Sequence, residues 1–198
     1  SSDLYSKIST LSKSKSVLKK KEETLNDKED TLKSLLHKSG EDSGSTLAWV
    51  FNEELTNISK YSEEFQVVVL DRIIKSVESE IKITKDLLDT MPNDTVFSAL
   101  NQRLKSPAST ARKIKLDAGH IKNPTIEHYK AVSDSLTDIV RYSFETKNHD
   151  ALASVIKEHS DKMLKLGYVP KKAKNAYHEE NSYKGFAVIW QNENGEAF

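Results

Sequence analysis

The chain of 198 residues contains no cysteine, which excludes disulfides, thiol nucleophiles and thiolate metal sites. Glycine and proline are scarce, at six and four, and neither occurs before Gly40. There is no excess of either charge: thirty lysines and arginines balance thirty aspartates and glutamates. Nothing global therefore points to nucleic acid or to a membrane surface, and either role would need a local patch. No apolar run approaches a membrane span, and the N-terminus has no signal-peptide core. His120, His128, His149, His159 and His178 stand singly without metal-ligand spacing, which leaves them surface or packing residues. The length allows one or two domains with a buried core. The chain starts at Ser1-Ser2 and stops in what reads as mid-strand, so we expect it to be part of something larger.

What is present divides near Pro92. Leu4, Leu11, Leu18, Leu25 and Leu32 recur every seven residues among Lys, Glu, Asp and Ser, which predicts a long helix with a narrow apolar seam. The second seam position is apolar only at Ile8 and Leu36; Lys15, Glu22 and Glu29 fill its middle. A self-sufficient two-stranded coiled coil would be weak there, so the seam is expected to pack on another helix. Gly40 to Ser45 reads as a turn, and the helical pattern resumes from Thr46 through Leu55, Ile58, Phe65, Val69, Ile73, Val77 and Leu88 to Pro92. The expectation is an antiparallel helical hairpin over 1–92. A DNA-binding zipper is disfavoured, because the basic run Lys19 to Lys21 lies inside the heptads and acids follow it at once.

Beyond Pro92 the pattern is mixed. Asn93 or Asp94 is placed to cap a helix through Leu104; a further helix runs from Pro107 to about Asp117, a loop from His120 to Asn123, and a helix from Thr125 to Ser135. Thr137 to Phe144 is rich in strand formers. Ala151 to Leu166 is an amphipathic helix stopped by Gly167. Tyr168 and Val169 begin a strand, Phe186 to Trp190 forms another, and Asn192 to Gly195 turns into the last. The fold class is therefore α+β, with helices flanking a mixed sheet over 93–198.

Chemistry concentrates between Arg103 and Lys113. Arg103, Lys105, Ser109 and Lys113 set three cations and a hydroxyl in one short stretch, suited to a polyphosphate: arginine binds phosphate oxygens bidentately and lysine supplies a point charge. With a helix entered near Pro107, Ser109 and Lys113 share one face beside a helix N-terminus, whose free N–H groups attract anions. A solvated basic loop is the competing reading. Lys171, Lys172 and Lys174 form a second basic run, suited to RNA phosphates or to an ordinary solvated loop. Trp190 reads as a core or edge-strand aromatic.

In this pattern Thr95 to Phe198 resembles the RelA/SpoT-type (p)ppGpp synthetase domain, closest to toxin- and phage-associated members. Arg103, Lys105, Ser109 and Lys113 match its ATP-binding signature. Asp138 followed by Arg141 is similar to its magnesium-binding Asp and strand Arg, though closer spaced. Asn181, Tyr183, Lys184 and Gly185 are similar to its acceptor loop, with Ala187 where many members carry a His. The resemblance implies transfer of pyrophosphate from ATP to a ribose 3′-hydroxyl, of a nucleotide (alarmone synthesis) or of an RNA end. Asp138 would hold Mg²⁺, Tyr183 would stack on the acceptor base, and Asn181 and Lys184 would contact its sugar or phosphate. It implies a second catalytic carboxylate from a Glu just past Phe198, for which Glu196 is a poor substitute. It implies a toxin or effector acting in the cytoplasm; separately, we expect delivery there as part of a larger secreted or virion protein and a protein partner for the N-terminal helices. The alternative is a structural or interaction protein, a virion or scaffold component, in which the helices do the work and the RelA/SpoT-like part is degenerate.

Overall fold

A computed structural model describes residues 2–52, 56–177, 180 and 184–198, without the side chains of 2, 14–23, 51, 52 and 56. Among the described residues the chain is α+β, with helices α1 (Ser2–Ser43), α2 (Glu63–Thr90), α3 (Pro107–Asp117), α4 (Ile126–Ser135) and α5 (Leu152–Lys165) and strands β1 (Thr95–Ser98), β2 (Ser143–Thr146), β3 (Val169–Asn175) and β4 (Phe186–Gln191).

The heptad leucines form α1 as the sequence predicts, but the helix runs through Gly40 and ends only before Gly44, whose φ of 67° suits glycine. The expected second helix begins later than Thr46. Residues Ala48–Asn52 and Thr56–Ile58 are 3₁₀ turns that bury Leu47, Trp49 and Ile58. α2 starts at Glu63, where the Ser62 hydroxyl accepts from the Phe65 amide and Glu63 and Glu64 complement the helix dipole.

The two helices are not antiparallel. Lys28 of α1 pairs with Asp71 of α2, and further along both helices Ser39 Oγ donates to Glu80 Oε2 at 2.7 Å. Had the helices run in opposite senses, that second pair would lie roughly 30 Å apart. α1 and α2 therefore run in the same direction, and the described residues of 44–52 and 56–62 belong to the return between them. The apolar periodicity that suggested one continuous helix from Thr46 belongs partly to this return segment.

After Pro92 the expected helix is absent. Asp94 takes a positive φ of 62°, and Thr95–Ser98 is a strand paired antiparallel with β2 from Thr95↔Thr146 to Ser98↔Ser143. β-branched and aromatic side chains at Thr95, Val96 and Phe97 favour the sheet over the helix that Asn93 and Asp94 seemed to cap. The strand expected at Thr137–Phe144 is correspondingly displaced to Ser143–Thr146, leaving one isolated antiparallel bridge, Leu104↔Val140. α3, α4 and α5 lie where their patterns place them. Thr125 caps α4 in a reciprocal box with His128, and Gly167 (φ 90°) ends α5.

β3 and β4 pair antiparallel, so the described residues form two two-stranded antiparallel sheets where one mixed sheet was expected. Lys171, Lys172 and Lys174 stand exposed on β3 instead of in a loop. Past the Asn192–Gly195 turn the chain returns along β4, with Trp190 and Phe198 exchanging backbone hydrogen bonds at 2.9 Å each way.

One core runs across Pro92. Leu32 and Leu36 of α1, Phe65, Val69 and Ile73 of α2, and Leu104, Ile114, Ile139 and Val140 pack together. A second cluster joins Ile83 and Leu87 of α2 to Met163, Tyr168 and Trp190, which settles Trp190 as a core residue. α2 is central to both and carries a buried polar row at four-residue spacing: Arg72, Ser76, Glu80 and Thr84.

Candidate functional site

The bridge at Leu104↔Val140 organises the candidate site. Lys105 N–H donates to the Ile139 carbonyl at 2.8 Å and Arg141 N–H to the Arg103 carbonyl at 2.9 Å, so the segments carrying the two predicted clusters lie side by side. Leu104, Ile139 and Val140 turn into the core. The polar neighbours are thereby brought together, and Lys105 Nζ sits 3.0 Å from Asp138 Oδ2. The lysine is largely covered at 13 % exposure, while the carboxylate at 44 % is open to solvent.

Immediately beyond, Ser106 caps α3 and Pro107 occupies its first turn. Ser109 and Lys113 share a face of this helix as expected, but the free N–H groups anticipated there are few. Pro107 has none, and the Ser109 amide donates to Ser106 Oγ at 3.2 Å. What faces an anion is the helix dipole and the side chains. Ser109 Oγ accepts from Arg112 Nη2 at 2.9 Å, and Lys113 Nζ lies 3.5 Å from Asp117 Oδ2. Arg112, exposed and three residues from Ser109, is a cation the sequence reading passed over. Its i, i+3 relation to Ser109 was the available signal.

Arg103 does not join this group. It is fully buried: its Nε donates to Glu80 Oε1, Nη1 to the Leu100 carbonyl at 3.0 Å, and Nη2 to Ser39 Oγ at 2.7 Å. The guanidinium expected on phosphate is committed to α1 and α2. Arg141 is exposed.

Of the predicted acceptor residues, Asn181 and Tyr183 lie outside the described residues. Lys184 lines a cleft of about 580 Å³ between the two sheets and α5, whose walls include Phe144, Val155, Ile156, Val188 and Trp190. None of Lys105, Ser109, Lys113 or Asp138 lines that cleft. His159 does, with its ring 5.3 Å from Phe144 and edge-on to Trp190 at 6.4 Å, a packing role as expected. Glu196 is not available as a second carboxylate: it is buried and bound by Arg72 and Ser76.

Burial, and then the positive charge of Lys162, hold the His159 imidazole below its usual pKa. The unfolded chain takes up that proton below about pH 6.5 while the folded chain resists it. This contribution to stability is therefore complete above about 6.5 and is lost progressively as the pH falls below it. His159→Leu is expected to narrow the gap between urea midpoints measured at about pH 7.5 and about pH 5.5. An unchanged gap would assign that titration to other groups.

Magnesium fits here only in part. Among the described residues no three His, Asp or Glu side chains gather as a metal-binding group, so Asp138 would hold Mg²⁺ with substrate phosphate oxygens completing the shell, which is usual for this ion. No family model, curated protein or solved structure matches the chain.

Proposed function

We propose that the chain transfers pyrophosphate from ATP to a ribose 3′-hydroxyl, of a nucleotide or of an RNA end, as a toxin or effector acting in the cytoplasm. The observation that carries the reading is the meeting of Lys105 and Asp138, 33 residues apart in sequence, beside the first turn of a helix bearing Ser109, Arg112 and Lys113. A bound triphosphate would take the Lys105 ammonium from Asp138, freeing that carboxylate for Mg²⁺, which supplies charge neutralisation when bound. Ser109, Arg112 and Lys113 would hold the remaining phosphate oxygens. The acceptor 3′-hydroxyl oxygen then forms a bond to the β-phosphorus as its proton passes to solvent, the bond from that phosphorus to the α,β-bridging oxygen breaks, and AMP leaves with that bridging oxygen. Positioning and cationic charge account for most of the acceleration in such transfers. Tyr183 and Asn181 are assigned to the acceptor with Lys184.

The test is incubation of the chain with γ-labelled ATP, magnesium and, in turn, GDP, GTP, ADP, ATP and bulk tRNA. Label is expected to move to one acceptor, and Asp138→Ala to slow the transfer by about 10²-fold or more. A second reading, an interaction protein with an inactive site, is favoured by the commitment of Arg103 to the core. Absence of transfer to every acceptor by folded protein would support it.

A further inference from the structure

Among the described residues only part of α1 has a partner helix. From Leu25 onward its seam packs into the core, through Leu25, Leu32 and Leu36. α2 begins level with about residue 20 of α1, counting back from the Lys28–Asp71 contact at one rise per residue on each helix. The N-terminal half of α1 extends beyond it. There Leu4, Ile8 and Leu11 are 67, 56 and 63 % exposed, with Tyr5 alongside at 76 %. Their i, i+4, i+7 spacing makes one apolar stripe that nothing among the described residues covers.

Charge selects what fits the stripe. Between residues 2 and 21 there are six lysines, Lys7, Lys13, Lys15, Lys19, Lys20 and Lys21, against Asp3 alone, a net charge of six minus one, or +5. The heptad count places Lys7, Lys19 and Lys21 beside the seam and Lys15 within it. We propose that the N-terminal half of α1 docks an acidic amphipathic helix of a partner protein, whose apolar residues cover Leu4, Ile8 and Leu11 and whose carboxylates face the lysines.

A second copy fits poorly. In a parallel pair Lys15 would oppose Lys15, and each copy brings the same net positive charge. The acidic stretch of α1 just past Lys21 could offer the opposite charge, but its own seam leucines, Leu25 and Leu32, are engaged in the core. A lipid surface would attract the lysines, but membrane-lying helices carry a broad apolar face, and this seam is narrow and interrupted by Lys15.

The test uses the full chain and a labelled synthetic helix of about four heptads, with Leu and Ile at a and d and Glu at e and g. Anisotropy is expected to report saturable binding that weakens with added salt. Leu4→Asp with Leu11→Asp, at exposed positions that leave the circular dichroism unchanged, should weaken it about tenfold or more. Replacing Lys7, Lys19 and Lys21 by Glu should shift preference to a matching helix with Lys at e and g. The proposal is overturned by no binding of the Glu helix, by equal binding of both helices to the wild type, or by no effect of the double substitution. Binding of phosphatidylserine vesicles without the peptide, or self-association abolished by the same double substitution, also overturns it in favour of a membrane or a second copy.

Discussion

Arg103→Ala lowers the stability of the folded chain by about 3–5 kcal/mol, because it leaves the Glu80 carboxylate buried without its counter-ion. Glu80 and Arg103 are both completely buried, and the Ser39 and Thr84 hydroxyls donate to the same carboxylate at 2.7 Å each. The whole stability of a domain is about 5–15 kcal/mol, so the substitution removes a large share of it. The urea midpoint at neutral pH, with unchanged slope, is the measurement. Replacing Glu80 and Arg103 together by Leu and Met should cost less than the single change, because a buried ion pair exchanged for apolar side chains is often close to neutral. A loss of under about 1 kcal/mol in Arg103→Ala would instead be the behaviour of an exposed, ligand-directed cation. The same reasoning bears on the proposed enzyme: lost activity in this variant would report unfolding, so Asp138 and Lys105 are the positions at which to test the chemistry.

Arg72→Ala should be comparably severe, at about 3–5 kcal/mol. Arg72 Nη1 lies 3.0 Å from Glu196 Oε2 and 2.5 Å from Ser76 Oγ, while its Nε and Nη2 donate to the carbonyls of Ser133 and Leu136 at 2.9 Å each. One guanidinium thus ties α2 to the end of α4 and to the turn after β4. Truncating it strands a buried carboxylate and leaves both carbonyls without this donor. Hydrogen exchange distinguishes this loss from a general weakening. The Trp190 and Phe198 amides, which pair with each other's carbonyls beside Glu196, should lose protection first. Equal loss of protection throughout the chain would argue against a local tie.

The two pairs explain what the sequence conceals. In Arg72, Ser76, Glu80 and Thr84 a four-residue polar repeat looks like the solvated face of α2, yet all four are buried. Beyond the Arg72–Ser76 and Thr84–Glu80 contacts within the row, their partners come from 23 to 124 residues away, and no local pattern announces such pairing. The same applies to Arg103, whose spacing from Lys105 reads as one phosphate cluster until Glu80 takes it. Features set by neighbours in sequence were legible: the heptads of α1, the helix from Thr125 to Ser135, Gly167 ending α5, and the strand from Phe186. The direction of α2 was not, because apolar periodicity carries no information about chain sense, and the 3₁₀ turn at Thr56–Ile58 mimics it at Ile58. For the candidate site, Lys105, Ser109 and Lys113 were singled out by type and spacing, and Asp138 through the family resemblance alone. The Lys105–Asp138 pair depends on the Leu104↔Val140 bridge, whereas the Ser109–Arg112 contact is local to α3.

The tie between Arg72 and Glu196 also sets an order of events in time. Synthesis proceeds at about 5–20 residues per second, so α2 leaves the ribosome some 6–25 s before the carboxylate that neutralises it, 124 residues later. During that interval the helix at the centre of both cores carries an unmatched guanidinium and cannot pack as it does in the finished molecule. The N-terminal helices, although they read as a self-contained unit, complete their packing only once the Asn192–Gly195 turn has delivered Glu196.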